Sequence, residues 1–197
     1  MTNSQDAAAT TSTSIRTQTG GAQTGGAQTG AARTGEACPA LVLVNPGTPT
    51  APEPGAVRSF LREFLSDRRV IEMSPLLWKP ILEGIILRVR PREVSRKYRS
   101  IWLEQGSPLM HYTREQARLL GERLPGVRVE VAMRYGQLSI GAALDRLHAQ
   151  GVRRVAVLPA YPHYSATTVA SINDAVCAWI GRNRDGFEMR LHRSFPA

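Results

Sequence analysis

The stretch Val155-Ala156-Val157-Leu158-Pro159-Ala160-Tyr161-Pro162-His163-Tyr164-Ser165-Ala166-Thr167-Thr168 decides the fold. Its first five residues form a short apolar run, the pattern of a strand buried on both faces. The run empties into a loop of aromatic, imidazole and hydroxyl groups, and a helix is expected over residues 167–180. Ligands of open α/β sheets bind just beyond the carboxyl ends of the strands. The loop therefore points to a small-molecule pocket.

Upstream, Leu41-Val42-Leu43-Val44-Asn45 is a second apolar run, closed by Pro46-Gly47-Thr48-Pro49. Val57, Phe60, Leu61, Phe64 and Leu65 repeat at the spacing of one helix face. Residues 92–103 read as a basic helix, followed by the breaker Gly106-Ser107-Pro108. Thr113 and Gln116 match a capping box, which predicts a helix from Thr113 to about residues 124–126. A strand over 127–133, a helix over 139–150, a strand over 152–158 and a last strand over 187–193 complete the series. Strands alternating with helices imply right-handed crossovers and a parallel sheet. The expected fold class is α/β, a four-stranded doubly wound parallel sheet resembling half of a Rossmann-like domain. No helix follows the last strand, so one sheet face near that edge is expected to be bare.

Residues 1–38 are expected to be a disordered low-complexity tail. They hold few large apolar side chains and a five-residue near-repeat beginning Thr19-Gly20-Gly21-Ala22-Gln23. Such a composition buries too little surface to offset its ordering entropy. The folded domain is expected over residues 39–197, long enough for a real core. Cys38 and Cys177 provide neither a disulfide framework nor a metal-ligand spacing, so a reducing cytoplasm is the default.

The net charge of +9 is concentrated. Residues 57–99 hold eleven basic side chains against five acidic ones, a net +6. A patch of that sign suits nucleic acid, an anionic membrane surface or an acidic small molecule. No nucleic-acid motif or aromatic interleaving accompanies it, so no nucleic-acid partner is expected. Residues 76–89 are strongly apolar but interrupted by Lys79, Pro80 and Glu83, and are too short to span a bilayer. They read either as a helix packed on the core or as an exposed lip touching a membrane or an apolar ligand.

Three loops line one sheet edge: residues 45–49, Met133-Arg134-Tyr135-Gly136, and 161–168. None is a Gly-x-Gly-x-x-Gly or Walker A phosphate loop. Their aromatic rings, arginine and hydroxyls suit a large flat ligand bearing carboxylates. His163 could take a proton or bind a divalent metal, or could be an ordinary loop histidine. His111, His148 and His192 read as ordinary histidines.

Five stretches, in order and at natural spacing, resemble the ferrochelatase family. They are residues 43–49, Phe64-Leu65-Ser66-Asp67-Arg68-Arg69-Val70, Gly106-Ser107-Pro108-Leu109, Ala132-Met133-Arg134-Tyr135-Gly136, and residues 158–168. The resemblance covers the first half to three-fifths of that family's catalytic region. It implies a chelatase-like α/β domain and insertion of ferrous iron into a porphyrin, protoporphyrin IX or coproporphyrin, in haem biosynthesis. That activity is a lyase reaction with no resident cofactor and with iron as substrate. By the same resemblance, Lys97, Tyr98, Ser107, Arg134, Tyr135, Tyr161 and Ser165 match porphyrin-contacting positions. Arginine and lysine can pair with propionates, and tyrosine rings can stack on a macrocycle.

Two departures stand out. The family usually carries leucine or methionine at Pro46 and often glutamine at His163. The family's metal-delivering histidine and glutamate match nothing up to Ala197. The expectation is a domain incomplete at its C-terminal end, with little or no activity. A non-catalytic porphyrin-binding module and a cobalt or nickel tetrapyrrole chelatase are the alternatives. Localisation is expected to be cytoplasmic, with membrane association through residues 76–89 as a variant.

Overall fold

Four of the apolar segments pair as parallel strands: β1 (Ala40–Thr48), β2 (Arg128–Gly136), β3 (Arg154–Pro159) and β4 (Glu188–Leu191). The computed structural model describes residues 38–195, so the expected tail lies outside the described residues except for Cys38. Spatial order is β2-β1-β3-β4, the doubly wound arrangement expected from the sequence. The direction of winding reverses between β1 and β3. Their carboxyl ends therefore flank the crevice in which such sheets bind ligands.

Helices α1 (Pro54–Ser66), α2 (Pro75–Ile81), α3 (Leu87–Ile101) and α4 (Pro108–Arg123) lie between β1 and β2. Helix α5 (Ile140–Ala149) joins β2 to β3, and α6 (Ser171–Ile180) joins β3 to β4. Side chains alternate across each strand. Val42, Val44, Ala132, Val155 and Val157 face α5 and α6, where they pack with Leu144, Leu147, Ile172, Val176 and Trp179. Helix α4 covers β1 and β2 on the other face. A second cluster, Val57, Leu61, Leu65, Leu82 and Leu87, joins α1 to the start of α3 through a π-helical turn, Leu82–Ile86.

The expected bare face is present. On β3, Val155 and Val157 are buried while Ala156 and Leu158 are only half-buried. Leu43, Leu119, Leu158, Ala160 and Phe195 line an open groove of about 430 Å³ there.

Thr113 does not cap a helix. Helix α4 starts six residues earlier, with Ser107 at the cap position and Pro108 in the first turn. The Gly-Ser-Pro stretch read as a breaker is thus a start signal, because proline fits the first helical turn, where its missing N–H costs nothing. Thr113 sits mid-helix and buried, and its hydroxyl donates back to the Leu109 carbonyl at 2.6 Å.

Two strands run further than their apolar cores. β1 continues through Pro46 to Thr48 because its ladder with β3 ends at Val44–Pro159, leaving Pro46 no bond to disrupt on that side. β2 continues to Gly136, so Arg134 and Tyr135 belong to a strand and not to a loop. The two ends approach closely. Gly47 has φ +114, and a Cβ there would stand 2.0 Å from the Tyr135 carbonyl oxygen.

The segment 76–89 resolves into α2, the π-helical turn and the first residues of α3. No residue of α2 is buried. Leu76 is 86% exposed, Leu77 66% and Val89 68%. Trp78 ties the segment down, its indole N–H donating to the Leu65 carbonyl at 2.7 Å. No helix among the described residues is long and apolar enough to cross a membrane.

Candidate functional site

At the carboxyl ends of β1, β2 and β3 lies a cavity of about 240 Å³, walled by Pro46, Phe64, Arg134, Tyr135, Tyr161 and Thr168 among others. Pockets that enclose a whole small ligand measure roughly 300–1,000 Å³, so this cavity suits one part of a larger ligand. A second cavity, of about 430 Å³, is lined by Thr48, Phe60, Glu63 and Gly136 among others. The rings of Phe60 and Phe64 stack with centroids 6.1 Å apart, one facing each cavity. The stacked pair thus links the linings of the two concavities.

The seven residues that the resemblance singles out fall into three groups. Arg134, Tyr135 and Tyr161 meet at the first cavity. Tyr98 and Ser107 meet at Thr48, whose hydroxyl donates to Ser107 Oγ at 2.8 Å and is hydrogen-bonded to the Tyr98 hydroxyl. Lys97 and Ser165 line neither cavity. Lys97 is exposed on α3 and paired with Glu93 at 2.8 Å. Ser165 shares a hydroxyl hydrogen bond with Thr168, which does line the first cavity. His163 is exposed, and no group of three acidic, histidine or cysteine side chains poised for a metal exists among the described residues.

Tyr135 is not free to stack flat on a ligand. It is 2% exposed, and its hydroxyl donates to Asp67 Oδ2 at 2.7 Å. Burial, and to a lesser degree Asp67, push its hydroxyl up to about 12 against the Ser171 contact. Arg134 is also engaged. Its Nη2 donates to Asp67 Oδ2 at 2.8 Å and its Nε to Ser171 Oγ at 2.7 Å. Among the described residues Tyr161 has no such tether, and burial pushes its hydroxyl well above the ordinary range. Burial likewise raises the Tyr98 hydroxyl, opposed by the hydrogen bond to Thr48.

The residues that organise these groups were not singled out from the sequence. Asp67 lies within the family-like stretch 64–70, but its spacing gives no sign of a role beyond that of a solvated charge. Ser171 follows a π-helical turn, Ala166–Ala170, which sets the phase of α6 so that Ile172 and Val176 face the core while Ser171 faces Asp67. Asn45 donates from Nδ2 to Thr113 Oγ1 at 2.8 Å and fixes β1 to α4 beneath the edge.

Comparison with known proteins places these residues in a lineage. The ferrochelatase family model matches residues 38–197. Ferrochelatase 1 of Shewanella oneidensis is 48% identical over 162 residues, 80% of this chain and 48% of that protein. The ferrochelatase of Methylibium petroleiphilum is 52% identical over 79% of this chain and 44% of its own length. That of Xylella fastidiosa is 53% identical over 73% and 45% respectively. The chain spans about half the length of the curated relatives it matches.

Proposed function

Because the chain belongs to the ferrochelatase family, we propose that its sheet edge holds the porphyrin into which ferrous iron is inserted in haem biosynthesis. One observation carries the reading: the stacked Phe60–Phe64 pair links two cavities at the carboxyl ends of the strands, the first of them reaching across the winding reversal to Tyr161. A flat macrocycle fits such a surface, with Tyr161, Arg134, Tyr135 and the Ser165–Thr168 pair on one side. Tyr98, Ser107 and Lys97 stand on the side of the basic helix α3, where hydroxyls and cations would receive carboxylates. Contacts of that extent supply the binding energy that holds a ring out of plane and exposes a pyrrole lone pair. Iron is substrate in this scheme, and no resident cofactor is invoked.

Titrating the 197-residue chain with protoporphyrin IX tests the reading through the Soret band. A saturable shift is expected, and Tyr161→Ala should weaken it about tenfold through lost ring contact, roughly 1.4 kcal/mol. The absence of any shift in the unaltered chain would sink the proposal. Iron insertion measured anaerobically on the same sample separates a metal-inserting domain from a porphyrin-binding module, and cobalt or nickel in place of iron tests the alternative chelatases.

The exposed Leu76, Leu77 and Val89, set beside Arg88, Arg90 and Arg92, favour a peripheral membrane contact as a second reading. Sedimentation with anionic vesicles checks it: Leu76→Ser with Leu77→Ser should abolish binding that the unaltered chain shows.

A further inference from the structure

The first cavity contains a cation and no free charge. Asp67 lies beyond the end of α1 with its side chain only 7% exposed, and its two oxygens accept four hydrogen bonds. Oδ2 takes the Arg134 guanidinium, the Tyr135 hydroxyl and the Ser171 hydroxyl, while Oδ1 takes the Arg69 amide at 2.7 Å. The Arg134 guanidinium carbon lies 4.6 Å from the Tyr135 ring centre. Arg69, two residues from Asp67, is itself satisfied by a two-pronged pair with Asp174 at 2.7 and 3.0 Å. Arg134 and Arg69 thus each have their own carboxylate.

We propose that Asp67 is a positioning residue that balances the charge of Arg134 and clamps it with Tyr135 and Ser171, so that this cavity presents a rigid, electrically neutral wall to an uncharged part of the ligand. The inference rests on the porphyrin reading above and refines it, because it moves Arg134 from carboxylate partner to neutral scaffold. A partly buried pair formed at 2.8 Å is costly to break, since separating it to meet a propionate leaves Asp67 buried and unpaired. An unbalanced charge at this wall should therefore act on a ligand carboxylate with a predictable sign.

The test compares protoporphyrin IX with its dimethyl ester, both dispersed in nonionic detergent, by Soret titration of the full chain. The readout is the ratio of ester to acid dissociation constants. Asp67→Asn leaves Arg134 unbalanced and should raise the ratio at least fivefold. Arg134→Gln leaves Asp67 unbalanced and should lower it by a similar factor, which reports with the opposite sign even if Asp67→Asn fails to fold. The double variant Asp67→Asn with Arg134→Gln is neutral again and should return to the unaltered ratio. A purely structural role would weaken both ligands alike and leave the ratio unmoved, and that result overturns the inference. If the unaltered chain binds neither ligand, the porphyrin reading itself fails and the inference falls with it.

Discussion

Asp67 shows how a single side chain sets both stability and site geometry. Burial pushes its carboxyl up, but hydrogen bonds from Ser171, Tyr135 and the Arg69 amide, with the charge of Arg134, outweigh burial and hold it below its ordinary value of 3.8. A group that ionises more readily folded than unfolded stabilises fully above the ordinary value, and that stabilisation is lost as pH falls through the lower folded value. Urea unfolding of the native chain and of Asp67→Asn should thus differ by a constant amount between pH 5 and 8, with the gap closing below pH 4. Gly47 makes a different demand. At φ +114, with the Tyr135 carbonyl where a Cβ would go, Gly47→Ala must part the ends of β1 and β2. The variant should lose about 2 kcal/mol or more, visible as a lower thermal midpoint.

At the scale of elements, apolar patterning located every strand core and the face of α1, because burial writes itself into composition. Strand ends were less legible. Those of β1 and β2 are decided by how closely two glycines let the backbones approach, which no periodicity records. The start of α4 was misplaced because a threonine followed three residues later by glutamine satisfies the local rule for a cap. The tertiary bond from Asn45 claims that threonine instead. Thr113→Val should cost about 1–3 kcal/mol by leaving a buried amide without its acceptor, while Thr113→Ser should restore most of it; chemical denaturation of both checks the assignment. Of the site, Arg134, Tyr135 and Tyr161, which meet at the first cavity, were singled out from motifs. The roles of Asp67 and Ser171 were not legible, since each acts through partners distant in sequence and the two stand 104 residues apart.

Across the whole molecule, protection should grade with position in the sheet. β1 is paired on both sides and faces buried side chains, whereas β4 is a four-residue edge with mostly exposed residues. Amide exchange is expected to be slowest at Val42 and Val44 and faster by at least a hundredfold at Met189 and Arg190, read by mass spectrometry or NMR. The same layout bears on synthesis. Asp67, Arg134 with Tyr135, and Ser171 come from three successive passes of the chain, so the clamp closes only after the last of them has left the ribosome. Until then Arg134 and Asp67 lack the Ser171 hydroxyl that joins them, and the cavity wall is not formed. Formation of this wall is thereby timed to follow the emergence of α6.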